Sequence, residues 1–132
     1  MTVDGVSKIF KIQEMQSYDR GPGRRSWTLV TPEVGSRHLT TGITEFQPGA
    51  FLDLHIHNCE EQITILEGDA VAIIDGTEYE LTVPDTTFVS AGIPHRFINR
   101  SKKPMKILWI YADTNVTRTY VATGRTERQL EK

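Results

Sequence analysis

Apolar residues along this chain recur in short runs with a period of two, and clusters of turn-forming residues separate the runs. That alternation predicts strands. Ser7 to Ile12 and Ser26 to Val30 read as two early strands, with Arg20-Gly-Pro-Gly-Arg-Arg25 as a turn or flexible link between them. Leu39 to Phe46, rich in threonine and isoleucine, is a third, ended by Gln47-Pro48-Gly49. Gln62 to Leu66 and Ala70 to Ile74 follow. Asp75-Gly76 is the strongest hairpin signal, because this dipeptide accepts the positive φ of a type I′ turn, and it leads into Thr77 to Val83. Pro84-Asp85 turns the chain again before Thr87 to Val89. His95 to Ile98, a polar loop from Asn99 to Pro104, and a last strand from Met105 to Ala112 complete the pattern.

No sustained helical periodicity occurs upstream of Thr123, and only Glu127 to Lys132 has a helical reading. Many short strands at a spacing of roughly eight to twelve residues indicate an all-β sandwich or barrel of two antiparallel sheets with little helix.

Composition narrows this picture. A chain of 132 residues with 38% apolar and 24% charged side chains can bury one core and needs no second domain, so residues 1–132 are read as a single domain. A net charge of −2 argues against a nucleic-acid surface, which requires a basic stripe; Arg24-Arg25 is too small to be one. Met1 to Arg20 contains no continuous apolar segment, so neither a secretory signal nor a membrane span is expected, and the cytoplasm is the expected compartment. One cysteine, Cys59, cannot form a disulfide within the chain.

Candidate chemistry concentrates between Gly49 and Gly68. In an extended strand His55 and His57 point the same way with α-carbons about 7 Å apart, close enough for both imidazoles to reach one ion. Asn58-Cys59-Glu60 interrupts the alternation, and Glu61 can begin a return strand facing the two histidines. Gln62 becomes the inward residue if the loop is one residue longer. A carboxylate beside imidazoles suits a divalent first-row metal. The duller reading makes His55 and His57 solvent-facing polar residues and Glu61 an exposed charge. Cys59 reads as a loop cysteine rather than a ligand, and His38 as a surface or interface residue.

The spacing from Gly49 through His55, His57 and Glu61 to Gly68 resembles the first motif of the cupin superfamily at every position. The second cupin motif is matched in part: Gly92, His95 and Asn99 stand where that family has them. Pro84 replaces its first glycine and Ser90 its proline, both at turn or strand-start positions. The resemblance covers about residues 40–112 and implies a jelly-roll barrel. It also implies that His95 joins His55, His57 and Glu61 around one divalent transition metal per chain, whether manganese, iron, cobalt, nickel or zinc. Small cupins are commonly dimers, so the resemblance implies a homodimer, with the early strands of residues 7–30 at its interface and residues 113–132 as a tail.

Three imidazoles and one carboxylate leave one or two positions open on a five- or six-coordinate ion, a site catalytic in form. Phe51 and Asp53 share the parity of His55, Phe97 that of His95, and Trp109 and Tyr111 share one face of the last strand. These five are the candidate pocket residues, with Tyr111 offering a hydroxyl as acid or base and ordinary core packing as the alternative for the aromatics. The expected function is a metal-dependent enzyme acting on an oxygenated small molecule, by isomerase, cyclase, lyase or dioxygenase chemistry. The alternative is a cupin that binds or senses a ligand without turning it over.

Overall fold

A computed structural model of the chain describes residues 5–130; Met1 to Asp4, Glu131 and Lys132 lie outside the described residues. Twelve strands form two antiparallel six-stranded sheets. The first runs in the order β1 (Tyr18–Gly21), β2 (Arg24–Thr28), β3 (Thr40–Phe46), β10 (Met105–Tyr111), β5 (Glu61–Glu67) and β8 (Thr86–Val89). The second runs β12 (Thr126–Arg128), β11 (Thr117–Tyr120), β4 (His55–His57), β9 (His95–Ile98), β6 (Asp69–Ile74) and β7 (Thr77–Thr82). Two such sheets with their apolar faces inward make a jelly roll, the architecture the family resemblance implied and one form of the sandwich or barrel the alternation predicted.

β10 shows how sequence pattern becomes core. Its alternate residues Met105, Ile107, Trp109 and Tyr111 are buried and their neighbours half-buried, as expected for a central strand with one face on the core. Phe46 and Phe97 are fully buried with them, one from each sheet. Trp109 lies flat against Gly42, its register partner on β3, where a Cβ would come within 2.2 Å of the indole. Only glycine leaves room there. The hairpin at Asp75-Gly76 forms as its residues require, with φ of 49° and 83° and Ile74 paired to Thr77.

Three expectations are corrected. Residues 7–12 form no strand: Lys8 and Lys11 interrupt the apolar positions, and the segment runs in irregular backbone into a short 3-10 turn at Ile12–Glu14. The edge on which a dimer was expected is therefore absent at those residues. The first strand is instead Tyr18–Gly21, hairpinned to Arg24–Thr28 across the Gly-Pro-Gly segment. The tail is not helical across the described part of Glu127 to Lys132, because Thr126–Arg128 pairs with β11 and extends the second sheet. β-branched threonines in both strands favour that outcome.

Candidate metal centre

Register brings the four polar residues together. On β4, His55 and His57 face inward while Ile56 does not, and β9 places His95 directly opposite His55. Glu61 opens β5 in the other sheet, paired to Tyr111 of β10. Three imidazoles from one sheet thus meet a carboxylate from the other, and one ligand atom from each lies within 4.8 Å of all the rest. All four residues are buried. Gln62 points outward, which settles the parity after the turn in favour of Glu61.

The main chain fixes the orientation of each ring. His55 Nδ1 lies 2.6 Å from the carbonyl oxygen of Asp53, His57 Nδ1 2.8 Å from that of Thr117, and His95 Nδ1 2.8 Å from that of Ile93. A carbonyl only accepts, so Nδ1 carries the proton in all three rings and Nε2 faces the centre. There the donors are under-satisfied. Among the described residues His57 Nε2 and Glu61 Oε1 are buried without a hydrogen-bond partner. His57 Nε2 lies 3.3 Å from Glu61 Oε2 with no hydrogen bond between them.

Buried polar atoms without partners are costly, and a cation at this point would satisfy them. The donor set, nitrogen and oxygen with no sulfur, fits a divalent first-row ion. Burial pushes the Glu61 carboxyl up, but its close contacts with His57 and His95 outweigh that and hold it at about 2. Burial likewise works against a charge on His95, yet its 2.9 Å contact with Glu61 raises it above the ordinary imidazole value. His55 is held well below that value by burial and by the charge of Arg118, so it stays neutral with its Nε2 lone pair available.

Beside the cluster lies a small cavity of about 20 Å³. That is room for an ion and a water rather than a large ligand in the present arrangement. Phe97, Trp109 and Tyr111 line it, as expected from their parity. Trp109 also serves the core, its indole N–H donating to Thr44 Oγ1 at 2.9 Å. Tyr111 packs against His57 with ring centroids 4.6 Å apart, and burial pushes its hydroxyl pKa far up, so it remains protonated.

Phe51 and Asp53 are not in the cavity wall. The segment before His55 is irregular rather than extended, which breaks the parity carried back from the histidine: Phe51 is 48% exposed under the Arg96 guanidinium, and Leu52 takes the inward place. Asp53 offers its carbonyl to His55, and its charge acts on Arg24. Cys59 is buried outside the ligand group, with its thiol raised to about 11 by burial and by Asp113, and so is no thiolate donor. His38 is exposed in a loop. Asn99 is structural: its side chain donates to the carbonyls of Phe46 and Lys103 and accepts from Ser101, tying the loop after β9 to the end of β3.

Sequence reasoning missed the arginines. Arg20 and Arg24 from the β1–β2 hairpin and Arg118 from β11 line the same cavity. Arg118 is paired in register with His57, which turns its side chain to the inner face. Its signal in the sequence was the alternation Val116, Arg118, Tyr120, too short and too polar to be read as an inward set. Among the described residues, no helix is long and apolar enough to cross a membrane.

A jelly roll with three histidines and a glutamate converging inside defines the class. Residues 42–111 match the cupin domain family model, and the chain belongs to the cupin family. It is 29% identical over 110 residues to the tetracenomycin polyketide synthase protein TcmJ of Streptomyces glaucescens, covering 82% of this chain and 72% of that one. It is 34% identical over 90 residues to the HTH-type transcriptional regulator PuuR of Escherichia coli, covering 67% of this chain and spanning about half, 49%, of the regulator. Among solved structures, the polyketide cyclase RemF from Streptomyces resistomycificus superposes with a TM-score of 0.74 at 18% identity, covering 96% of this chain and 87% of that one, a likeness of fold.

Proposed function

We propose that the chain is a metal-dependent cupin enzyme acting on a small oxygenated molecule that reaches the open face of an ion held by His55, His57, Glu61 and His95. One observation carries this reading: four donor atoms converge in a buried site, each imidazole locked by a main-chain carbonyl so that its Nε2 faces the others. A divalent ion there supplies Lewis-acid polarisation of a carbonyl or enol oxygen or, if it is iron, redox chemistry. The chain's own residues do the rest. Phe97 and Trp109 exclude water from one side of the chamber, and Tyr111, protonated and packed on His57, donates a hydrogen bond or a proton to an oxygen of the bound molecule. The likeness to a polyketide synthase protein and a polyketide cyclase favours isomerase, cyclase or lyase chemistry over oxygenation.

The relation to PuuR supports a second reading, in which the same chamber senses a ligand without converting it. Elemental analysis of the purified protein and of His95→Ala tests the shared basis of both. About one divalent ion per chain is expected in the wild type, with retention against a chelator reduced roughly 100-fold or more in the variant. A wild-type protein that holds no metal and takes up none on addition overturns both. Mass spectrometry of small molecules incubated with the loaded protein separates them: a converted molecule favours the enzyme, a molecule bound and released unchanged the sensor.

A further inference from the structure

We propose that the chamber is built for an anion, with Arg24 and Arg118 forming a carboxylate-binding subsite that faces the metal-ligand cluster. The subsite rests on the metal reading, because it is what would fix the far end of a molecule whose oxygens approach the ion. Arg118 is the central residue. It is 4% exposed, and its Nη2 donates to the neutral Oε1 of Gln129 at 2.9 Å. The one carboxylate oxygen within ion-pair reach among the described residues is Glu127 Oε1, at the limit of 4.0 Å. That oxygen already accepts from Tyr120 at 2.8 Å, and the other oxygen of Glu127 is paired with Arg125 at 3.0 Å. Arg118 Nε is buried with no hydrogen-bond partner among the described residues.

A buried guanidinium whose carboxylate partner is shared and at the limit of reach, and whose Nε has no partner, keeps a donor free in the planar fork that grips a carboxylate. Arg24 adds a second, half-buried guanidinium, with the charge of Asp53 acting on it. It reaches the same cavity from β2, and its Nε is also buried and unpartnered. Its guanidinium passes over Gly21, where φ is 119° and an added Cβ would stand 2.7 Å from Nη2. Arg20 lines the cavity beside it. Of the described residues that line the cavity, three are arginines and one, Glu61, is a carboxylate. A divalent ion added to that lining makes the chamber more cationic still, so an anionic ligand is the complement it lacks.

Calorimetric titration tests the subsite, with succinate as the anionic probe and its neutral diamide, of the same length and shape, as the control. The protein is used as isolated, metal content is measured on each sample, and Arg118→Met and Arg24→Gln are compared with wild type. The expected result is succinate bound roughly tenfold or more tighter than the diamide, falling roughly tenfold or more in each variant at unchanged metal content. Equal affinity for the two probes, no succinate binding at millimolar concentration, or undiminished affinity in both variants overturns the proposal. A lower melting temperature for Arg118→Met with succinate affinity intact assigns Arg118 to holding β12 and overturns its role. Arginine-dependent discrimination in a protein that takes up no metal sustains the subsite and sinks the metal reading. A metal-loaded protein that does not discriminate sinks the subsite alone.

Discussion

Two regions enclose the chamber, and they are built on different terms. The wall of β4, β5, β9 and β10 carries all four candidate ligands together with Phe97, Trp109 and Tyr111, and every one of these is buried. The closure, made of the β1–β2 hairpin and the β11–β12 pair, carries Arg20, Arg24, Arg118 and Gln129, and joins the wall at the outer strands of each sheet. In the wall, polar residues are held by the core around them. In the closure, buried charge is held by few and partly shared hydrogen bonds. On the reading proposed above, labour divides so that the wall would hold the ion and the closure would select what approaches it.

The comparison can be broken by variants placed on either side. Phe97→Ala empties a fully buried position in the wall and should cost about 3–5 kcal/mol in urea unfolding. A smaller loss would mean that the wall collapses around the gap and is less rigid than its packing implies. Gly42→Ala drives a methyl into the Trp109 indole and toward the Trp27 carbonyl, and should cost about 1–3 kcal/mol with a changed near-ultraviolet signal from the displaced tryptophan. An unchanged spectrum would show that Trp109 is not pinned there.

Asn58→Ala is the mildest and the sharpest. Asn58 donates to the carbonyl of Asn115 and accepts from the amide of Thr117, tying the start of β11 to the end of β4. Its loss should cost about 1 kcal/mol and speed hydrogen exchange at Thr117 roughly fivefold, with exchange on β10 unaffected. If β10 exchange rises equally, wall and closure open as one unit and the division fails.

What the sequence made legible divides along the same boundary. Period-two alternation located β3, β5 to β7, β9 and β10 to within a residue or two, because these strands have one face on the core and a turn signal at each end. Strand parity brought out His55, His57 and Glu61, the cupin resemblance added His95, and register places the four side by side. The closure was illegible for a physical reason. Tyr18–Gly21, Thr117–Tyr120 and Thr126–Arg128 are short and polar, and they owe their strand state to the sheet edge they join rather than to their own composition. Phe51 and Asp53 failed differently: parity was carried back through a segment that is not a strand.

The three carbonyl oxygens behind the histidines have one more consequence. No point substitution deletes a peptide carbonyl, so the tautomer of each ring survives any exchange of neighbouring side chains that leaves the backbone path intact. Guanidiniums in the chamber enjoy no such protection. A scaffold with this asymmetry can be retuned for new ligands by changing two or three arginines, while the three inward Nε2 atoms stay aimed through every intermediate sequence.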